Sequence, residues 1–433
     1  MLKIINWNSI SETEKQQTLE RPVLSNPPYE QVREIIDQVK AQGDRALIEL
    51  TSRLDGVDLS AIQVEAAAIE QAAINPDAFA AINEAINTIT TYHQAVLPRP
   101  QIINTARGIS IEKVYRPIER VGLYVPGGNN SPLISSLLMQ AIPAKIAGCP
   151  IRVLCTPPDK KGCVNPNLLV AARLCGINTI YKLGGAQAIA AMAYGTETVA
   201  KVDKLFGPGN SFVTEAKTQV SIDPLGAAID MPAGPSEVMI TADQWANPEF
   251  VAADLLSQAE HGTDSQVFLL CENETFACSV LKALLRQIDD LPRQAIIQRS
   301  LGKGSIIICK SLKEQLQIIN HYAPEHLIIN REDYQDWING ITSAGTVFLG
   351  SWAAESMGDY ITGSNHVLPT FGYARTGSGL TTADFMKSMT IQSINESGLL
   401  GLGKYAMTLA NLENLEAHAN AIKLRLESVS SGE

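Results

Sequence analysis

Residues 121–155 read VGLYVPGGNNSPLISSLLMQAIPAKIAGCPIRVLC, and the fold is decided there. VGLYV and IRVLC are short apolar runs of strand type, separated by a Pro-Gly turn and a stretch with helical spacing of its apolar residues. Strand, turn, helix and second strand in that order make a βαβ unit, whose two strands run parallel. The pattern recurs in TIYKL (179–183), VDKLF (202–206), EVMIT (237–241), QVFLL (266–270), SIIIC (305–309), LIIN (327–330) and TVFL (346–349). Most of these are followed by a helical stretch. Sheets usually hold about four to six strands, so nine strands point to an α/β protein with two doubly wound, parallel-rich sheets.

The flanks differ from this centre. In EQVREIIDQVKAQG (30–43), Val32, Ile35, Ile36 and Val39 stand at helical spacing and Gly43 ends the run. Further helices are expected to about residue 93. At the other end LANLENLEAHANAIKLRLES (409–428) carries Leu409, Leu412, Leu415, Ile422 and Leu426 among good helix formers, so the tail reads as helical. Such a terminal helix can dock on its own body or on a neighbouring subunit.

At roughly 150 residues per domain, 433 residues make two or three domains. Hydrophobic residues are 45% and charged residues 18%, a globular composition. Lys plus Arg number 34 against 45 Asp plus Glu, and the net charge of -11 repels phosphate backbones and anionic lipid. Nucleic acid and membranes are therefore not the expected partners. The charge-free run Asn129–Ala144 is broken by Pro132 and Pro143, and the N-terminus MLKIINWNSISETEK turns polar too early for a secretory signal. A cytoplasmic protein is the expectation. Seven cysteines without C-x-x-C spacing argue against a disulfide framework or a Cys-rich zinc site and read as reduced core thiols.

Histidine is scarce, with six residues, five of them after position 260. Gln258 and His261 share one face of EFVAADLLSQAEHG, with Asp254 a turn earlier, although packing alone makes this a solvated helix face. Glu325 and His326 are adjacent in APEHL, where an irregular turn could aim both into one cavity. Asp359 and His366 lie in ESMGDYITGSNHVLPT, and Glu413 and His418 in the tail. His261, Asp359 and His418 with a neutral oxygen ligand would give an N/O set suited to zinc or a similar divalent ion. The turns VPGGNNS (125–131), LGGAQA (183–188) and FGPGNS (206–211) join strand to helix, where backbone amides can approach a phosphate. None of them fits G-x-G-x-x-G or a P-loop.

RVGLYVPGG, MQAIPAKIAGC, GGAQAIAAMAYGTE, VDKLFGPGNSFVTEAK, DMPAGPSEV, DLLSQAEHG, YAPEHL, GDYITGSNHVLPT and LEAHANAIKLR together resemble the histidinol dehydrogenase family from about residue 25 to 427. The resemblance implies two incomplete Rossmann-like domains with small helical N- and C-terminal extensions. It also implies a zinc-dependent homodimer that oxidises L-histidinol through L-histidinaldehyde to L-histidine with two NAD, in histidine biosynthesis. By the same resemblance, one Zn²⁺ per subunit is held by Gln258, His261, Asp359 and, from the exchanged tail of the partner, His418. Substrate contacts are Ser236, Gln258, His261, His326, Asp359, Glu413 and His418. NAD contacts are Tyr124, Gln187 and Asn210; Glu325 and His326 are the proton acceptors, and His366 is a helper on the substrate side. The implied layout is an N-terminal helical extension (1–23), a discontinuous α/β domain with the metal and substrate site (24–123 and 237–380), an α/β domain with the NAD contacts (124–236) and a helical tail reaching the partner (381–433).

Two rivals stay open from the sequence. The aldehyde step could be covalent through Cys149 or Cys155, or the chain could be a silent zinc-binding paralogue.

Overall fold

The computed structural model describes residues 2–22, 28–127, 132–231 and 234–431. Residues 128–131 of the VPGGNNS turn, Pro232 and Ala233 of DMPAGPSEV, and Pro27 lie outside the described residues. The chain forms two compact units, Met1–Val96 with Glu119–Thr382, and Leu97–Ile118 with Ala383–Glu433.

The first unit contains two parallel sheets. One has six strands in the order Lys3–Asn6, Ser305–Ile308, Gln266–Cys271, Glu237–Ala242, His326–Asn330, Thr346–Leu349. The other has five, in the order Thr179–Lys182, Ile151–Thr156, Arg120–Tyr124, Lys204–Phe206, Ala228–Ile229. All nine apolar runs of the sequence are strands, and every pairing in these two sheets is parallel. Their continuous apolar character follows from burial on both faces. Val238, Ile240, Val267 and Leu269 face one core, while Met239, Phe268, Leu270 and Leu327 face another.

Three features depart from the sequence reading. Lys3–Asn6, expected within a helical extension, is an edge strand paired with Ser305–Ile308, and helix Glu12–Thr18 follows behind a Ser11–Glu14 capping box. A four-residue strand carries too little periodicity to be read locally. Helix Tyr29–Gln42, which the sequence grouped with residues 237–380, puts Val32, Ile35, Ile36 and Val39 into one cluster with Tyr124, Val153, Cys155 and Ile189 of the five-stranded sheet. Amphipathic spacing shows that a face is buried, not which sheet covers it.

The third departure lies in the second unit. Met386–Ile394, expected to be part of a helical tail, is a strand paired antiparallel with Ile109–Pro117, which also pairs with Gln101–Ala106. Its partner is remote in sequence, so no local pattern announces it. Helices Glu396–Leu412 and Glu416–Ser431 complete the unit. No helix among the described residues is long and apolar enough to cross a membrane.

The turn after strand Lys204–Phe206 is clamped. Gly207 N–H donates to Asp230 Oδ2 at 2.9 Å, and Lys217 Nζ donates to Gly207 O at 2.9 Å while pairing with Asp230 Oδ1 at 2.5 Å. Gly207 has φ +121°, and a Cβ there would run into the carbonyl oxygen of Tyr124. Gly207→Ala should therefore destabilise the protein by roughly 1–3 kcal/mol. An unchanged unfolding midpoint in urea would contradict this account of the turn.

Candidate functional site

The five-stranded sheet reverses strand order between Arg120–Tyr124 and Lys204–Phe206. Open α/β sheets bind ligands in the crevice beyond the carboxyl ends of their strands at such a point. A cavity of about 780 Å³ lies there, lined by Tyr124, Thr156, Gly184, Gly185, Gln187 and Asn210 among others. Tyr124 is buried and its hydroxyl accepts from Gly185 N–H at 3.0 Å; burial pushes its phenol up to about 12. Gln187 Nε2 donates to Asp55 Oδ2 at 3.2 Å. Asn210 caps helix Ser211–Ile222, accepting from Phe212 N–H and Val213 N–H. The buried atoms Gln187 Oε1 and Thr156 Oγ1 have no hydrogen-bond partner among the described residues. Unsatisfied buried polar atoms facing a cavity of this size suit a polar organic ligand such as a dinucleotide.

A second cavity, about 160 Å³, lies at the amino edge of the six-stranded sheet. Ser236, Gln258, His261, Glu325, His326, Asp359 and His366 line it, together with Gly207, Lys217 and Asp230 of the clamped turn. That turn therefore borders this cavity while Asn210, three residues on, borders the first.

Adjacent Glu325 and His326 reach one cavity because the chain is irregular just before them. Helix Leu312–Tyr322 ends on Ala323 in the left-handed region at φ 54°, Pro324 follows, and strand His326–Asn330 begins only at His326. The neighbouring strand holds both side chains. Glu325 Oε2 accepts from Glu237 N–H at 2.9 Å, and His326 Nδ1 lies 3.2 Å from the carbonyl oxygen of Glu237. A carbonyl can only accept, so His326 carries a proton on Nδ1 and, when neutral, presents a free lone pair on Nε2. Nε2 is buried without a regular hydrogen bond among the described residues, 3.5 Å from Asp359 Oδ1.

Four carboxyl groups set the electrostatics. Burial alone would lower the His326 pKa, but Glu355, Glu325 and Asp359 outweigh it and raise it well above the ordinary imidazole range. Glu355 is buried, lies 3.7 Å from His326 Nδ1, and has its own pKa raised well above the usual carboxyl value by that burial. Burial pushes Asp254 up to about 7. Burial also acts upward on Asp359, but His326, His366 and His261 prevail and hold it below the ordinary value. His366 Nδ1 donates to the Asp359 carbonyl at 2.9 Å, and burial lowers its pKa.

Gln258 is buried in helix Pro248–Ala259, with its amide nitrogen donating to Glu355 Oε1 and its oxygen accepting from Glu237 N–H at 3.0 Å. His261 stands exposed just past the helix end. Gln258, His261 and Asp359 supply N/O donors to one cavity, and single ligand atoms of His326, Glu355 and Asp359 lie within 4.8 Å of one another. The buried, unpartnered Glu355 Oε2 and His326 Nε2 add to a donor set that suits a divalent cation such as zinc. Glu413 and His418 belong to the second unit, where they are exposed at the end of helix Glu396–Leu412 and in the first turn of Glu416–Ser431.

Sequence reasoning missed Glu355 and Glu237. The spacing of Glu355 from Asp359, one helical turn in ESMGDY, was the available signal; Glu237 sits in an apolar strand and gave none. The cysteines also differ from expectation, since Cys163 is exposed and Cys278 half-buried, while the other five are buried. Cys155 is fully buried, its thiol raised by burial, and neither Cys149 nor Cys155 lines either cavity. A covalent step through Cys149 or Cys155 has no support in this arrangement.

The histidinol dehydrogenase family profile matches residues 21–426. The curated histidinol dehydrogenase of Legionella pneumophila (strain Philadelphia 1) is 62% identical over 429 residues, 99% of this chain and all of that one. The histidinol dehydrogenase of Mannheimia succiniciproducens is 48% identical over 432 residues, again 99% of this chain and all of that one. A crystal structure of histidinol dehydrogenase from Elizabethkingia anophelis superimposes with a TM-score of 0.95 at 43% identity, covering 99% of both chains. With both cavities and the parallel sheets in place, the chain belongs to the histidinol dehydrogenase family.

Proposed function

We propose that this protein oxidises L-histidinol through L-histidinaldehyde to L-histidine with two NAD, the end of histidine biosynthesis, and works in the cytoplasm. The observation that carries the reading is the pair of proton acceptors, Glu325 and His326, held by one residue's backbone in a cavity shared with Gln258, His261 and Asp359.

Gln258, His261 and Asp359, with His418 from the tail of a second copy, would hold the zinc, and Tyr124, Gln187 and Asn210 the NAD. When bound, NAD would supply the hydride acceptor for each oxidation, and zinc would supply a positive charge that orients the substrate and offsets the carboxylate field around His326. His326 Nε2 takes the hydroxyl proton in the first oxidation, which leaves the aldehyde. Glu325 then removes a proton from water as its oxygen adds to the aldehyde carbon, and protonated His326 gives its proton to the carbonyl oxygen, which yields the gem-diol and leaves His326 neutral again. His326 takes the diol proton as the second hydride departs, which leaves the carboxylic acid. Asp359 is steadied by His366, whose Nδ1–H its carbonyl accepts. Glu355 holds the Gln258 amide. Ser236 lines the proposed substrate cavity, and Glu413, from the tail of a second copy like His418, would offer a carboxylate to the substrate amine.

A homodimer with exchanged tails fits the surface of the second unit. Leu409 is 62% exposed, Leu412 75% and Ile102 70%, with Leu400, Tyr405, Ile391 and Ile394 also exposed. Large apolar residues gathered on one unit mark a surface that another chain covers.

Two outcomes follow. In single turnover, Glu325→Gln should form the first NADH at a near-normal rate and slow the second by roughly 10²-fold or more; loss of the first, or an unaffected second, contradicts the role given to Glu325. His418→Ala should lose zinc by metal analysis and lose turnover. Co-expressed with Glu325→Gln, it should recover about a quarter of wild-type turnover, because half of randomly formed dimers are mixed and each holds one intact shared site. No recovery contradicts tail exchange.

A further inference from the structure

Arg21 lies 216 residues before Glu237 in sequence, yet it grips that residue with both arms of its guanidinium. Nε donates to Oε1 at 2.5 Å and Nη2 to Oε2 at 2.9 Å, and the two side chains are only 12% and 3% exposed. Nη2 also donates to the carbonyls of Tyr322 at 2.6 Å and Ala323 at 3.3 Å, and the guanidinium stacks 3.9 Å from the Tyr322 ring centroid. That ring is fixed in turn, because its hydroxyl donates to Gln266 Oε1 at 2.9 Å.

These contacts converge on the two segments that carry the proton acceptors. Tyr322 and Ala323 immediately precede Pro324, Glu325 and His326. Glu237 supplies the N–H that holds Glu325 and the carbonyl that fixes His326. Its carboxylate also accepts the Phe371 N–H at 3.0 Å, beside Thr370 of the cavity wall. We propose that Arg21 is a positioning residue for Glu325 and His326, acting through Glu237 and through the Tyr322 and Ala323 carbonyls. The proposal rests on the reading of those two residues as proton acceptors.

The physical argument is one of buried charge. Without Arg21, the Glu237 carboxylate stands uncompensated in a dry site beside Glu325, and an unpaired buried charge is far less tolerable than an absent pair. Water or a proton then takes the place of the guanidinium at Glu237, the Tyr322 and Ala323 carbonyls lose their donor, and the strand start with its N–H and C=O is no longer held in place. A displacement of about 1 Å in a catalytic group can slow turnover by roughly 10²-fold. Lysine keeps the charge but cannot reproduce the planar fork.

The test compares Arg21→Gln, Arg21→Lys and the double variant Arg21→Gln/Glu237→Gln with wild type. Arg21→Gln should lower kcat by roughly 30-fold or more while changing the KM for histidinol and the zinc per subunit by less than about threefold. The double variant, which removes both charges, should regain roughly tenfold over Arg21→Gln. Should Arg21→Gln not fold, Arg21→Lys carries the test, with reduced kcat at unchanged KM and zinc content. Wild-type kcat in Arg21→Gln or Arg21→Lys, or a double variant no faster than Arg21→Gln, overturns the inference while leaving the function intact. A wild-type protein that forms no NADH from histidinol overturns the function itself and the inference with it.

Discussion

Every polar group of Glu237 is engaged, and the proposed substrate site is organised around that fact. Its carboxylate is neutralised by Arg21, its N–H is shared by Glu325 and Gln258, and its carbonyl sets the tautomer of His326. A carboxylate 2% exposed at the first residue of a central strand would otherwise carry a penalty of several kcal/mol. Because these contacts involve the backbone of a strand paired on both sides, they are as rigid as the sheet. Glu325 and His326, the proposed proton acceptors, are thereby held with Oε2 and Nδ1 3.6 Å apart. That proximity suits sequential proton removal from an alcohol, a water and a diol.

The two sheets use opposite edges. In the five-stranded sheet Tyr124, Gln187 and Asn210 stand beyond the carboxyl ends of the strands, where helices begin and backbone N–H groups face outward. In the six-stranded sheet Glu237 and His326 are the first residues of their strands, so the proposed chemistry sits at the amino edge. The turn at Gly207 borders the smaller cavity and leads directly into Asn210. Its buried Lys217–Asp230 pair gives the junction a fixed shape without placing net charge there.

The parallel sheets were legible because strands buried on both faces must be continuously apolar, and VGLYV, QVFLL and SIIIC are. Lys3–Asn6 and Met386–Ile394 were not, since each depends on a partner distant in the chain. The same limit hid the sheet beneath Val32, Ile35 and Ile36. At the site, histidine scarcity drew attention to His261, His326 and His366, but the carboxylates that tune them were harder to find. Glu355 and Glu237 sit among ordinary helix and strand residues, and their roles arise from burial and from neighbours remote in sequence. Glu413 and His418 gain a place at the site only through the resemblance and the proposed exchange of tails.

One cavity, with one pair of proton acceptors, is proposed to carry an alcohol to an acid. The most direct test is the stoichiometry of NADH formed when the zinc-loaded wild-type protein consumes a limiting amount of L-histidinol with excess NAD. Two NADH per histidinol are expected, with histidine as the product. One NADH with histidinaldehyde accumulating, or none, would contradict the proposal.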